Sequence, residues 1–221
     1  MHALYELATG ILLWAAFAIF ILGSIYRIWQ LVSDVKKREP AVFDYWNWKH
    51  AFRSMFRWWV IPYGSFNSRR EQFMATVTWL FHVSLLLAPI FALAHTIHWQ
   101  EGILGVKWWS FPEWLTDVMA WIVVLAGLYF AGRRITQPQV RYVTTWVDFV
   151  VLAIVVLPFA TGIIAYHQWG DSLTWTTLHI LAGELWLASI PFSRLTHVIW
   201  GWFVRGYTAS EFQGVKFVRD Y

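Results

Sequence analysis

Five long runs of apolar residues constrain this chain more than any other feature of its sequence. Each run exceeds the roughly 20 residues that an α-helix needs to cross a bilayer. With 58% hydrophobic and only 14% charged residues, the chain is too apolar for a soluble globular domain. The sequence therefore predicts an all-α integral membrane protein, a bundle of five transmembrane helices in a single membrane domain, 1–221. The runs cover about 7–32, 73–97, 115–135, 142–166 and 174–203.

The basic residues between these runs are distributed unequally. The connection 33–72, the turn 133–141 and the tail 204–221 together hold fourteen Lys and Arg, whereas the opposite loops hold only Lys107. Cytoplasmic loops of membrane proteins carry such an excess. We therefore expect the N-terminus outside and the C-terminus in the cytoplasm. This distribution also accounts for the net charge of +4, so no nucleic-acid partner is needed to explain it.

The connection 33–72 is too long for a plain turn between two helices. Its sequence AFRSMFRWWVIPYG mixes basic residues with large apolar ones. Such a pattern is typical of a segment that lies on a membrane surface. We expect this connection to contact lipid at the cytoplasmic face, and docking of a cytoplasmic subunit is a compatible alternative.

Histidines lie at matching depths in two of the runs. His179 and His197 are eighteen residues apart, which is five helical turns, so both imidazoles would project from one face about 27 Å apart. The second run carries His82, His95 and His98. By depth, His82 pairs with His197 near the inner surface. His179 pairs near the outer surface with either His95 or His98.

The choice of outer partner depends on the course of the second helix. Neither His95 nor His98 falls on the face of His82 in an ideal helix. Pro89 precedes both and can kink the helix, which would re-aim its upper half. His95 is preferred because it lies deeper in the apolar run, whereas His98 adjoins the polar sequence WQE.

Paired histidines in an apolar bundle point to iron chemistry. The chain has no cysteine, so thiolate ligation is excluded and imidazole is the available ligand. Two histidine-bearing helices that face each other can hold two b-type haems, one above the other. The predicted axial ligands are His82 and His197 for the inner haem iron, and His95 and His179 for the outer.

Several sequence motifs resemble a known family. These are PFSRLTH at 191–197, LFH at 80–82, and the basic turn at 133–134 that continues to VRYVTTWVD at 140–148. They are similar to the γ subunit of respiratory nitrate reductase, a five-helix dihaem cytochrome b. In that family helices 2 and 5 each provide two haem ligands, which implies His82, His179 and His197 here. His95 is matched by depth, because the second-helix histidines are more widely spaced in this chain.

Three further segments resemble one branch of that family. They are APIFALAH at 88–95, SFPEWLTDVM at 110–119 and FVRGYTASEF at 203–212. They are similar to the short cytochrome b subunits of transmembrane redox complexes in sulfate-reducing bacteria. The resemblance implies a bacterial inner membrane, a periplasmic multihaem cytochrome c and a cytoplasmic iron–sulfur subunit as partners. Nitrate reduction is not implied, since catalysis would belong to the partner subunits.

Two haems across the bilayer would carry electrons between menaquinone or the cytochrome c and the iron–sulfur partner. A menaquinone site is expected at the outer end, lined by Lys107 and His98 with Glu101 and Asp171; a plain interfacial lysine is the alternative for Lys107. The rival function is a transporter or channel subunit whose membrane histidines relay protons. Its main candidate acid within a span is Glu184.

Overall fold

The computed structural model describes residues 1–63, 66–103, 105–106 and 108–216, and all regular secondary structure within them is helical. The α-helices are α1 (His2–Leu7), α2 (Leu13–Arg38), α3 (Trp48–Val60), α4 (Phe66–Arg70), α5 (Gln72–Phe91), α6 (Leu93–His98), α7 (Glu113–Thr136), α8 (Pro138–Tyr142), α9 (Trp146–Tyr166), α10 (Ser172–Ser189) and α11 (His197–Ala209). Turns of π-helix cover Ala8–Leu12, Trp99–Ile103 and Ser210–Val215. Turns of 3₁₀-helix cover Pro40–Val42, Ile190–Phe192 and Arg194–Thr196. The prediction of an all-α chain is confirmed.

Four helical stretches in the described residues are long and apolar enough to cross a membrane. They are His2–Arg38, Gln72–Glu101, Glu113–Thr136 and Trp146–Tyr166. Large apolar side chains such as Ile11, Leu22 and Leu128 are more than 60% exposed on them. Lipid is the natural environment for such surfaces, since no water-soluble fold leaves rows of them uncovered. The chain is thus a multi-pass membrane protein, and four of the five predicted spans are confirmed as candidate spans.

The fifth predicted span, 174–203, is not one continuous helix. Helix α10 ends at Ser189, two 3₁₀ turns follow, and α11 begins only at His197. Pro191 lacks the N–H that would continue the helical ladder, and its ring obstructs the preceding turn. Ser193 is fully extended, with φ −119° and ψ −173°. The expectation that His179 and His197 share one face of a five-turn helix is therefore wrong.

The chain divides into two compact units. The first comprises Met1–Ile11 and Val77–Trp186, and the second comprises Leu12–Thr76 and Leu187–Tyr221. In the first unit, α7 and α9 pack so closely that a Cβ on Gly127 would collide with Cγ2 of Val156. A single membrane domain stays a prediction.

The start of α9 is fixed to α7 by Asp148. Its Oδ2 accepts hydrogen bonds from the backbone N–H of Thr145 at 2.8 Å and from the Thr145 hydroxyl at 3.0 Å. Its Oδ1 lies 3.6 Å from Nη1 of Arg134, at the end of α7. Asp148 is buried, so this carboxylate both caps α9 and joins the ends of the two helices.

The second unit contains α2, α3, α4 and α11. The predicted surface connection 33–72 is largely helical: α2 continues to Arg38, and α3 and α4 lie within the connection. Gly23 of α2 lies against Pro191, whose carbonyl oxygen accepts a hydrogen bond from Nε of Arg27 at 2.8 Å.

Candidate functional site

The second membrane stretch breaks at Ala92, which is extended with φ −64° and ψ 133°. The break follows Pro89 by three residues and separates α5 from α6. A helix that ends here leaves its last carbonyl groups without helical partners. The sequence predicted a kink at Pro89, and the structure has a break in the helix three residues later.

Three specific donors satisfy the carbonyl groups freed at this break. Nδ1 of His95 lies 2.8 Å from the carbonyl oxygen of Pro89. The indole N–H of Trp108 donates to Ile90 at 2.9 Å, and the backbone N–H of Phe111 donates to Phe91 at 2.9 Å. Residues of the loop before α7 therefore donate hydrogen bonds to the last carbonyl groups of α5. The same set of bonds fixes one nitrogen of the His95 ring.

His179 projects from α10 onto the surface of α9. Its Nδ1 lies 2.8 Å from the carbonyl oxygen of Pro158. One turn later on α9, Gly162 leaves room for the ring, because a Cβ there would lie 3.0 Å from both Cε1 and Nδ1 of His179. Pro158 and Gly162 thus position this imidazole: Pro158 accepts its hydrogen bond, and Gly162 has no side chain to obstruct it.

The structure brings His95 and His179 together. Their ring centroids are 5.8 Å apart and their planes differ by 25°. Both side chains are partly buried. Of the two alternatives that the sequence left open on the second stretch, His95 is the one that meets His179, whereas His98 is exposed.

The hydrogen bonds determine which nitrogen of each ring is available. A backbone carbonyl oxygen only accepts, so Nδ1 carries the proton in both rings and Nε2 keeps a lone pair. This is the tautomer that binds a metal through Nε2. In His82 and His197, Nδ1 likewise lies close to a backbone carbonyl oxygen, at 2.7 Å from that of Thr78 and 2.9 Å from that of Arg194 respectively, so Nδ1 carries the proton in these rings too.

The remaining histidines lack this arrangement, and all eight lie in the described part of the chain. His167 places Nε2 3.1 Å from Oδ1 of Asp117, and Nδ1 of His50 is buried without a hydrogen-bond partner. His2 and His98 are exposed. A bond from Nδ1 to a backbone carbonyl oxygen therefore occurs in the four predicted ligands and in none of the other four histidines.

The two histidines predicted for the inner haem belong to different units. His82 belongs to the first unit and His197 to the second. Each has the tautomer that a metal ligand needs, and their pairing on one iron stays a prediction.

The structure gives a different result for each residue that was expected to line a quinone site. Lys107 lies outside the described residues. Asp171 has a structural role, since its Oδ2 accepts from the backbone N–H of Thr174 at 2.8 Å and from its hydroxyl at 2.5 Å, which caps α10. These bonds hold the pKa of the Asp171 carboxyl below its usual value. Glu101 is exposed.

The outer pair fits a haem iron by its donors and its spacing. Bonds from imidazole nitrogen to a metal are about 2 Å long, so two ligands on opposite sides of one ion have ring centroids about 6 Å apart. The 5.8 Å observed between His95 and His179 matches this spacing. No group of three or more His, Cys, Asp or Glu side chains comes together in the described residues. Two protein ligands suffice for haem, whose porphyrin supplies the other four.

Sequence reasoning predicted that His95 and His179 meet but missed the residues that hold the His179 ring. Pro158 and Gly162 belong to PFATG at 158–162, within an apolar helix. A glycine in such a helix is a signal for the close approach of a neighbouring side chain. The carbonyl group of Pro158 has no such signal, because a proline frees the carbonyl group four residues before it and not its own.

Comparison with known proteins gives a relative without a stated function. A protein of Nitratidesulfovibrio vulgaris strain Hildenborough is 29% identical over 217 residues, which cover 95% of this chain and 93% of the relative. It is named only "Protein". No family model matches the chain.

Proposed function

We propose that this chain is a dihaem b-type cytochrome, the membrane subunit of a respiratory redox complex. The observation that carries the proposal is the approach of His95 to His179, with each Nδ1 bonded to a backbone carbonyl oxygen. Two imidazoles from different helices that present the same free nitrogen are what a bis-histidine haem requires.

The residues of the chain position and protect the cofactor in this proposal. His95 and His179 hold the outer haem, and His82 and His197 hold the inner. The carbonyl oxygens of Pro89 and Pro158 fix the ring tautomers and make the imidazoles more basic ligands. When bound, haem supplies an iron centre that accepts and releases single electrons.

The proposed topology has five crossings, with the N-terminus outside and the C-terminus in the cytoplasm of a bacterial inner membrane. The fourteen-to-one distribution of basic residues supports this orientation. Helix α10 has 18 residues and would supply the fifth crossing together with the turns that follow it. Reporter fusions after residues 50 and 105 test the orientation, and we expect cytoplasmic and external signals respectively.

The proposed partners follow from the resemblance. A periplasmic multihaem cytochrome c or the menaquinone pool would exchange electrons at the outer haem, and a cytoplasmic iron–sulfur subunit would do so at the inner. A menaquinone pocket near His98 and Lys107 is part of this proposal. Replacing Lys107 with Ala and following haem reduction by a menaquinol analogue tests that pocket. If the kinetics of haem reduction are unchanged, Lys107 does not line this pocket.

The rival function, proton relay by a transporter subunit, has one observation in its favour. Glu184 is only 9% exposed on α10, and its Oε1 has no hydrogen-bond partner among the residues that the structure describes. Ionisable groups in such positions often belong to proton or ion pathways.

The visible spectrum of the purified full-length chain distinguishes the two functions. The haem proposal predicts two b-type haems per chain, measured as pyridine haemochrome against protein. A colourless chain that moves protons when reconstituted in vesicles would favour the transporter.

A further inference from the structure

Helix α3, within the connection between α2 and α5, is firmly packed on one side. Its buried face consists of Ala51, Ser54 and Met55. These residues lie against α11, where a Cβ on Gly206 would lie 3.2 Å from Cβ of Ala51. Nε of Arg205 donates to the hydroxyl oxygen of Ser54 at 3.0 Å. Small residues let the two helices approach closely, and a polar bond sets their register.

Both ends of α3 are also held. At its start, the backbone N–H of Asn47 donates to Oγ of Ser210 at 3.0 Å, and Oδ1 of Asn47 caps the helix by accepting from Lys49 N at 3.0 Å. Near its end, Trp59 stacks on Trp202 with centroids 5.6 Å apart and planes 16° apart. The helix is thus a fixed element along its whole length, and its outer surface has a defined orientation.

The outer surface of α3 carries two parallel stripes. Trp48, Phe52 and Phe56 recur every four residues and are 62%, 62% and 65% exposed. The residue after each is basic, which forms the second stripe of Lys49, Arg53 and Arg57. None of these three cations forms an ion pair within the described residues, and the helix sequence WKHAFRSMFRWWV contains no acid.

We propose that this outer face of α3 binds the surface of an anionic lipid bilayer. An interfacial helix places aromatic residues at the boundary of headgroups and acyl chains, with cations beside them at the phosphates. The aromatic and basic stripes of α3 match these two layers. This proposal does not depend on haem binding.

The position of α3 in the chain favours lipid over a soluble protein as the occupant. The preceding candidate span ends at Arg38 in the basic sequence KKR, and the next begins at Gln72. Only eight residues separate Arg38 from Asn47 at the start of α3, and such a segment reaches at most about 30 Å. The helix is therefore tethered near the membrane surface.

A single spin label tests the depth of this face. The chain has no cysteine, so Phe52→Cys in the full-length protein gives one labelling site. In vesicles of phosphatidylcholine with phosphatidylglycerol, we expect a nitroxide there to be relaxed by oxygen and protected from a water-soluble nickel chelate. Asp44→Cys is the control, because Asp44 is an exposed turn residue of the same connection and should be accessible to the chelate.

A second measurement tests the preference for anionic lipid. Loss of one cation near the surface weakens binding of anionic lipid by about fivefold. We therefore expect Arg53→Gln to lower the ratio of phosphatidylglycerol to phosphatidylcholine retained by the protein in native mass spectrometry by about that factor. Lys216→Gln is the control, because Lys216 is already paired with Glu211 at 2.7 Å and its loss should leave the ratio unchanged.

Two results would overturn the proposal. If the Phe52 label is accessible to the chelate in vesicles and becomes protected only when a cytoplasmic subunit is added, the face is a protein-docking site. If the label is protected but Arg53→Gln and Lys216→Gln retain lipids alike, α3 does not recognise anionic lipid.

Discussion

The carbonyl oxygen of Pro89 lies 2.8 Å from Nδ1 of His95, six residues later in the chain. An unbroken helix pairs each carbonyl group with the residue four positions later, so this bond depends on the extended residue Ala92 between them. The break therefore positions the ring that meets His179, 5.8 Å away.

Gly162→Ala is predicted to disturb the His179 ring. The new methyl group would lie 3.0 Å from Cε1 and Nδ1, so the ring must shift and its bond to Pro158 must lengthen. We expect lower occupancy of one haem or altered g values of its low-spin electron paramagnetic resonance signal. The helix itself should not be weakened, since alanine is favoured over glycine by about 1 kcal/mol.

Gly132→Ala is the matched control, because a Cβ there meets nothing within 4 Å. It should leave the haem spectrum unchanged. Identical spectra for the Gly162 and Gly132 variants would show that Gly162 does not position His179.

Trp108→Phe is predicted to loosen the closure at the end of α5. It removes the indole N–H that bonds the Ile90 carbonyl group, which should cost about 1 kcal/mol of stability. Thermal denaturation in detergent measures this loss. The control is Trp109→Phe, since Trp109 is 66% exposed and packs on Phe111, and its indole forms no hydrogen bond within the described ranges. Equal stability of the two variants would rule out the closing role of Trp108.

Asp148→Ala is predicted to destabilise the α7 and α9 pair by about 1–2 kcal/mol, through loss of the cap at Thr145. Arg134 would also lose its ion pair with Asp148. Asp148→Asn keeps an oxygen for the Thr145 N–H but loses the charge, so its loss should be smaller. The same denaturation midpoint for both variants would show that capping contributes nothing here.

The cap at Asp171 predicts a dependence of stability on pH. Hydrogen bonds from Thr174 lower the pKa of this carboxyl below its usual value of 3.8. The contribution of this cap to stability is fully present at pH values above that usual pKa. It is lost as the pH falls through the lower pKa of the folded state. Asp171→Ser keeps a cap that does not titrate. The midpoint temperature of its thermal denaturation should therefore fall less than that of the natural protein in this acid range. If the midpoints of Asp171→Ser and of the natural protein fall equally in this range, the Asp171 cap does not cause the dependence of stability on pH.

Much of the fold follows from the sequence, because hydropathy alone identified the four confirmed stretches. Hydropathy could not reveal the interruption at Pro191, since IPF is as apolar as a helix interior. The prediction of the histidines rests on residue type and depth, and within one unit the structure brings His95 and His179 together. The choice of His95 rested on depth, whereas its geometry depends on bonds from Trp108 and Phe111 that no periodicity reveals.

The most direct test of the central claim compares His95→Ala, His179→Ala and the double variant. If both histidines bind one iron, each single variant loses the same one of two haems, identified by its low-spin signal, and the double variant loses no more. His98→Ala should keep both haems. Loss of different haems in the two single variants, or retention of both haems in either, would contradict the account.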